Sequence, residues 1–314
     1  MRIVLSSALL GLAWFAAINV PATIAAWVIA RAAVARGATG PAVLLSIRFL
    51  PAAVSSIFVL AVFLPAHLRF EPEEAQESFG VILGGLAAVG AVILLRSAWR
   101  AVRAVSMARR VLRAARRSAT RVHDEALAVP GLAGVVLAGI IKPQVLIGAD
   151  ALNALTADEL DVAISHEIAH GRSRDNLKRF FMFCAPDVFG WMPTARVLED
   201  RWEAEAECQA DADAVGGDNG RAIALASALV KVAKLTYRGP LVVAPPAWSA
   251  FHVPTLLETR VRRLVAGRAI ATARRGRLSV RFALAAIAAP AIVWLTDVSY
   301  NLHQVTETMV NRLP

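Results

Sequence analysis

"TADELDVAISHEIAHG", Thr156 to Gly171, is a helix with both of its ends written into it. Thr156 precedes the apolar run and Glu159 stands three places on, the spacing of a capping box. Gly171 is the residue type that closes helices. Between these ends His166 and His170 are four apart, so both imidazoles leave one face of the helix and converge on a single ion. Glu167 stands beside them, placed to take a proton from a water that the ion has acidified. A metal that only staples a fold has no use for that carboxylate.

Zinc in a hydrolytic site takes three protein ligands and keeps a fourth position for water. No third histidine follows within Gly171 to Asn176, so the candidates lie in "EAEAECQADADA", Glu203 to Ala214. Glu207 and Asp211 are four apart and share a helical face. Glu207 is the expected ligand, and Asp211 is the expected acceptor for the other ring nitrogen of a ligand histidine. Glu203 shares that face and is the rival ligand. Glu199, Asp200 and Glu205 read as a solvated acidic surface.

The chain around this helix has the composition of a membrane protein. Of its 314 residues 57% are hydrophobic and 18% charged, with a mean hydropathy of +0.55, too apolar for an ordinary soluble domain. Four stretches are expected to span a bilayer: Ile3 to Ala30, Ala42 to Leu64 with Arg48 reaching to the interface, Phe79 to Leu95, and Phe282 to Thr296. The first is too long for a signal peptide. Cys184 and Cys208 are too few for a disulfide framework.

Arginine sets the orientation. The loop after the second span carries Glu71, Glu73, Glu74 and Glu77. The segment after the third runs from Arg96 to Arg121 with a dense series of arginines and no acid. Arg274, Arg275, Arg277 and Arg281 precede the fourth span. All of this puts both termini outside and the segment between the third and fourth spans in the cytoplasm. With Trp99 as its one aromatic, the arginine run fits anionic lipid head groups and not nucleic acid.

The expected organisation is three spans over 1–98, a cytoplasmic domain with a basic membrane-proximal helix over 99–277, and a fourth span with a short external tail over 278–314. The fold class is mostly α: integral membrane helices plus an α+β zinc peptidase domain with a small β element. Gly134 to Gly148 reads as a hairpin turning at Lys142-Pro143, one of whose strands is suited to pair with an extended substrate backbone. Further helices are expected through Ala195 to Val215, Arg221 to Tyr237 and Thr255 to Gly267.

"HEIAHGRSRDN" followed by "ECQAD" resembles the gluzincin membrane peptidases of the BlaR/MecR type. Their zinc helix reads roughly HELAHxRRRD, and a downstream helix carries Glu before a small-Asp or Cys-Asp pair. "RFLPAAVSSIFVLAVFLPAHLRFEP" is also similar to the second span of that family, and the similarity covers nearly the whole chain. The resemblance implies His166, His170 and Glu207 as zinc ligands, Glu167 as base, Asp211 as support, and Asp175 as a structural acid after the zinc helix. One departure stands out: after the last span only "VSYNLHQVTETMVNRLP" remains, where the sensor proteins carry an external penicillin-binding domain. The CAAX-processing and heat-shock membrane peptidases share HExxH and a downstream ExxAD, and "FHVPTLLETRVRRL" is loosely similar to their His-Pro…Arg segment. By that likeness His252 is a candidate transition-state stabiliser.

The expected function is a zinc metalloendopeptidase at the membrane, with protein substrates that are repressor-like or membrane-proximal, and with membrane lipids as its other partners. Its rivals are a quality-control protease and a zinc-stapled signalling scaffold without catalysis.

Overall fold

The computed structural model describes residues 2–37, 40–70, 80–123, 125–132, 134–238, 249–250 and 256–267. The fourth expected span, the acidic loop from Glu71 to Glu77 and His252 lie outside them. The chain divides into two compact units, one built from residues up to Ala98 together with Ala185–Asp200, the other from Trp99–Cys184 and the segment that starts at Arg201.

In the first unit α1 (Arg2–Ala35) packs along α2 (Pro41–Ile57), which passes through a π-helical turn, Phe58–Phe63, into α3 (Leu64–Phe70). The next helix, α4 (Val81–Ser118), is a single element of 38 residues. Three helical stretches, Ser6–Ala35, Pro41–Leu68 and Val81–Ser118, are long and apolar enough to cross a membrane. Leu10, Ala13, Phe63, Leu83 and Ala87 form the core of this bundle. Gly90 sets how closely α4 lies on α1, because a Cβ there would sit 2.2 Å from the Leu12 carbonyl oxygen.

The polar groups of this bundle are paired. Asn19 on α1 donates to Ser55 Oγ (3.0 Å) and to the Pro186 carbonyl (3.1 Å), and its own oxygen accepts from the Val188 amide (3.2 Å). Arg48 does not reach for an interface, as its place near the end of a span suggested. It is buried, with Nη1 2.9 Å from Asp187 and Nε 2.5 Å from Glu199.

The second unit is built on a sheet larger than a hairpin. The strands are β1 (Thr120–His123), β2 (Ala126–Val129), β3 (Val135–Ala138), β4 (Gln144–Gly148) and β5 (Ser249–Ala250), in the order β1-β2-β4-β3-β5. β3 and β4 form the expected antiparallel hairpin, while β2 adds parallel to β4 and β1 antiparallel to β2. The outer edge of β3 is taken by β5, pairing Val136 with Ala250 and Leu137 with Ser249. Gly148 is required where β4 ends, since a Cβ would fall 1.9 Å from the Leu132 carbonyl oxygen.

β3 and almost all of β4 are buried, so both strands read as continuous apolar runs. One face of the sheet packs Val135, Leu137, Val145 and Ile147 against Val162 and Ala163 of α6 (Ala157–Ser173) and Leu225 and Leu229 of α9 (Asn219–Arg238). The other packs Val136 and Leu146 against Ala108 and Ala115 of α4. The remaining helices are α5 (Ala149–Ala154), α7 (Asp175–Cys184), α8 (Pro193–Val215) and α10 (Leu257–Val265).

Candidate metal centre

The N-terminus of α6 is fixed by its capping box. The Glu159 amide donates to Thr156 Oγ1, and the Thr156 amide donates back to the Glu159 carboxylate at 2.8 Å. The same carboxylate accepts from Ser227 Oγ (2.6 Å) and Lys231 Nζ (2.7 Å) on α9. Burial works against its charge, but these donors prevail and hold the group at about 2. The helix runs past Gly171 to Ser173, and the left-handed residue is Arg174, at φ 55°. The chain therefore turns straight into α7, whose first residue, Asp175, returns to His170. Asn176 anchors the turn by donating to the carbonyls of Leu137 and Gly139.

Helix α6 presents His166 and His170, and α8 brings Glu207 opposite them; all three are fully buried. The two Nε2 atoms are 3.2 Å apart. His166 Nε2 and His170 Nε2 each lie 3.4 Å from a Glu207 oxygen. Behind the rings, His170 Nδ1 is 2.8 Å from Asp175 Oδ2 and His166 Nδ1 is 3.1 Å from Asp211 Oδ1. An ionised carboxylate only accepts, so His170 Nδ1 donates to Asp175 and its Nε2 faces His166 and Glu207. Two imidazoles and a carboxylate are thus brought together out of contact with water, an arrangement that favours a cation among them.

The donor set fits zinc. Two imidazole nitrogens and a carboxylate are donors that zinc takes. The nitrogens stand 3.2 Å apart, each 3.4 Å from a different oxygen of Glu207, and one ligand atom from each residue lies within 4.8 Å of the others. The demand for positive charge also appears in the protonation of the site. Burial pulls the His170 imidazole down, but the Glu207 carboxylate and then the Asp175 hydrogen bond outweigh it and raise the ring to about 10. For Glu207 burial favours the neutral form, and His170 with its neighbours overrides it, holding the carboxyl well below the usual range. A proton and a metal ion compete for one lone pair here.

Glu167 is fully buried, and neither of its carboxylate oxygens has a hydrogen-bond partner among the described residues. Burial raises it to about 7, against the pull of His166 and His170. Glu203, the rival ligand, stands outside the cluster with its carboxylate 3.2 Å from Arg179 Nη2.

Two arginines that sequence reasoning did not single out enter the site. Arg179 on α7 approaches Glu207 Oε1 at 3.4 Å, and Arg260 on α10 meets Glu207 Oε2 at 2.9 Å. The signal for Arg260 was its place on the apolar stripe of α10, four residues before the buried Leu264. Beside His170 opens a cavity of about 210 Å³, lined mainly by Leu137, Ile140, Pro143, Gly171 and Leu177.

A buried two-histidine, one-carboxylate cluster, in a chain with three helices apolar enough to cross a bilayer, has the layout of a membrane metallopeptidase. The chain belongs to the BlaR1 peptidase M56 family, whose model matches residues 3–252. No curated protein matches it.

Proposed function

We propose that this protein is a zinc endopeptidase in which His166, His170 and Glu207 hold the ion and Glu167 is the general base. The observation that carries this reading is Glu167 itself: a buried carboxylate with no hydrogen-bond partner among the described residues, raised to about 7, next to a metal-ligating cluster. A carboxylate poised near neutrality is matched to taking and returning a proton. A purely structural ion would leave it as an uncompensated burial cost.

When bound, the ion supplies Lewis-acid polarisation of the scissile carbonyl and of the attacking water. Glu167 takes the water's proton on a carboxylate oxygen and returns it to the leaving amine. Asp175 accepts the Nδ1 proton of His170, and Asp211 stands 3.1 Å from Nδ1 of His166, contacts that would orient both rings for an ion. The cavity beside His170, apolar along Leu137, Ile140 and Leu177 and polar at Arg174 and Asn176, accepts a substrate side chain.

The arginines that α4 exposes after its apolar half support a cytoplasmic peptidase domain resting against anionic lipid, with both termini outside. The substrate class that follows is a cytoplasmic regulatory protein of the repressor kind, or a membrane-proximal protein.

Glu167→Gln tests the mechanism. It keeps the side chain's size and all three ligands, so zinc content stays at that of the wild type. Cleavage of a co-expressed substrate falls by roughly 10²–10⁴, the usual worth of a general base. Undiminished cleavage by this variant refutes the assignment.

A further inference from the structure

We infer that Arg260 is a positioning residue of the metal centre, through which α10, a helix that contributes no ligand, controls the affinity for the ion. This inference rests on the reading of His166, His170 and Glu207 as the zinc site. Arg260 lies on the one buried face of α10, in line with Leu264, where the helix pattern calls for an apolar residue. Its neighbours point elsewhere: Arg262 is exposed and pairs with Glu258, and Arg263 reaches Cys208.

Each nitrogen of the Arg260 guanidinium is committed to a side chain of the site. Nε donates to Asp211 Oδ2 at 2.9 Å and Nη2 to Asp211 Oδ1 at 2.6 Å, a two-pronged pair. Nη1 lies 2.9 Å from Glu207 Oε2, and Nη2 lies 3.4 Å from His166 Nε2. One planar group therefore holds Asp211, which stands 3.1 Å from His166 Nδ1, by two hydrogen bonds, and pairs by charge with the Glu207 carboxylate.

The need for it follows from α8. Glu207 and Asp211 are four residues apart on one helical face, both buried, and two like charges so placed repel. A cation between them cancels that repulsion and removes the rotational freedom of both side chains. Arg179 reaches the other oxygen of Glu207 at 3.4 Å but divides itself with Glu203, so it does not replace the clamp. Lysine at 260 would bring the charge without the fork, and would satisfy one carboxylate at a time.

The test uses the full-length protein in detergent, with Arg260→Met and Arg260→Lys beside the wild type. Zinc affinity is read by competition with a chromophoric chelator, and ligand geometry by the visible spectrum of the cobalt-loaded protein. Arg260→Met is expected to bind zinc about 10- to 100-fold more weakly, as when an outer partner of a ligand is lost, and to show an altered cobalt spectrum. Arg260→Lys falls between the two. If Arg260→Met keeps a cooperative unfolding transition together with wild-type affinity and spectrum, the inference is wrong. Should the methionine variant not fold, the lysine variant decides: wild-type affinity and spectrum overturn the clamp, and a partial loss in both supports it. A wild type that binds neither metal would instead overturn the metal centre itself, a result separable from any change confined to position 260.

Discussion

Replacing Glu159 by glutamine removes one negative charge from the first turn of α6 and almost no volume. Glutamine can still accept from the Thr156 amide, so the capping box survives and the charge alone is tested. In the native chain that charge serves Ser227 and Lys231 of α9 as well, and it tethers the histidine-bearing helix at its N-terminus. A fall from its ordinary value of 4.5 to about 2 corresponds to about 3 kcal/mol of folding stability at neutral pH. Lys231 keeps 37% of its side chain exposed, so screening of that partner brings the expected loss in Glu159→Gln to about 2 kcal/mol. Glu159→Ala, which also forfeits the cap, loses about 1 kcal/mol more. The folded-state value is depressed, so the contribution is complete above the unfolded value of 4.5 and drains away as pH falls from there toward 2. Urea unfolding of the detergent-solubilised proteins, followed by circular dichroism at about pH 7, 5 and 3, measures the difference. Wild type and Glu159→Gln should differ by nearly the full amount at the two higher values and by less than half of it at the lowest. Equal stability at neutral pH, or a gap undiminished at about pH 3, refutes the reasoning.

Arg48→Met should cost about 3–5 kcal/mol by leaving Asp187 buried and unpaired, seen as a lower melting temperature in detergent. Adding Asp187→Asn to that variant should restore much of the loss. Gly90→Leu should separate α1 from α4, because even a Cβ meets the Leu12 carbonyl oxygen at 2.2 Å, and a cysteine-crosslinking assay between the two helices should fall accordingly. Gly171→Ala should be silent, its Cβ lying 3.8 Å from Leu137 and Pro143. Gly171→Leu should fill the cavity beside His170 and raise KM for substrates with large apolar side chains, at unchanged zinc content. A reporter fused after Arg121 should behave as cytoplasmic and one fused near Glu73 as external; the reverse pattern would place the peptidase outside.

What could be read in the sequence was local. Thr156 and Glu159 announce α6 because a capping box is satisfied within four residues, and the spacing of His166 and His170 fixes their common face without any knowledge of the fold. The β3–β4 hairpin is likewise marked by apolar runs on either side of Lys142-Pro143. β1 and β2 escaped notice because β1 is exposed along its whole length and continues a charged, arginine-rich stretch. The partner of β2 is parallel and distant, so no turn signals it. The π-helical turn Phe58–Phe63 has no marker in an unbroken apolar run. Arg260 stands among three arginines in "TRVRRL", and its register with Leu264 is what sets it on the buried stripe. The acids of α8 that it meets there have no trace in the sequence around position 260.

The length of α4 gives it two roles. A straight helix of 38 residues is about 57 Å long, and the hydrocarbon layer of a bilayer takes about 30 Å of it. About 27 Å of the same rod is left over, including Ala108 and Ala115, which bear on Val136 and Leu146 of the sheet. The helix that is long enough to cross a bilayer thus also supplies one wall of the core beneath the sheet.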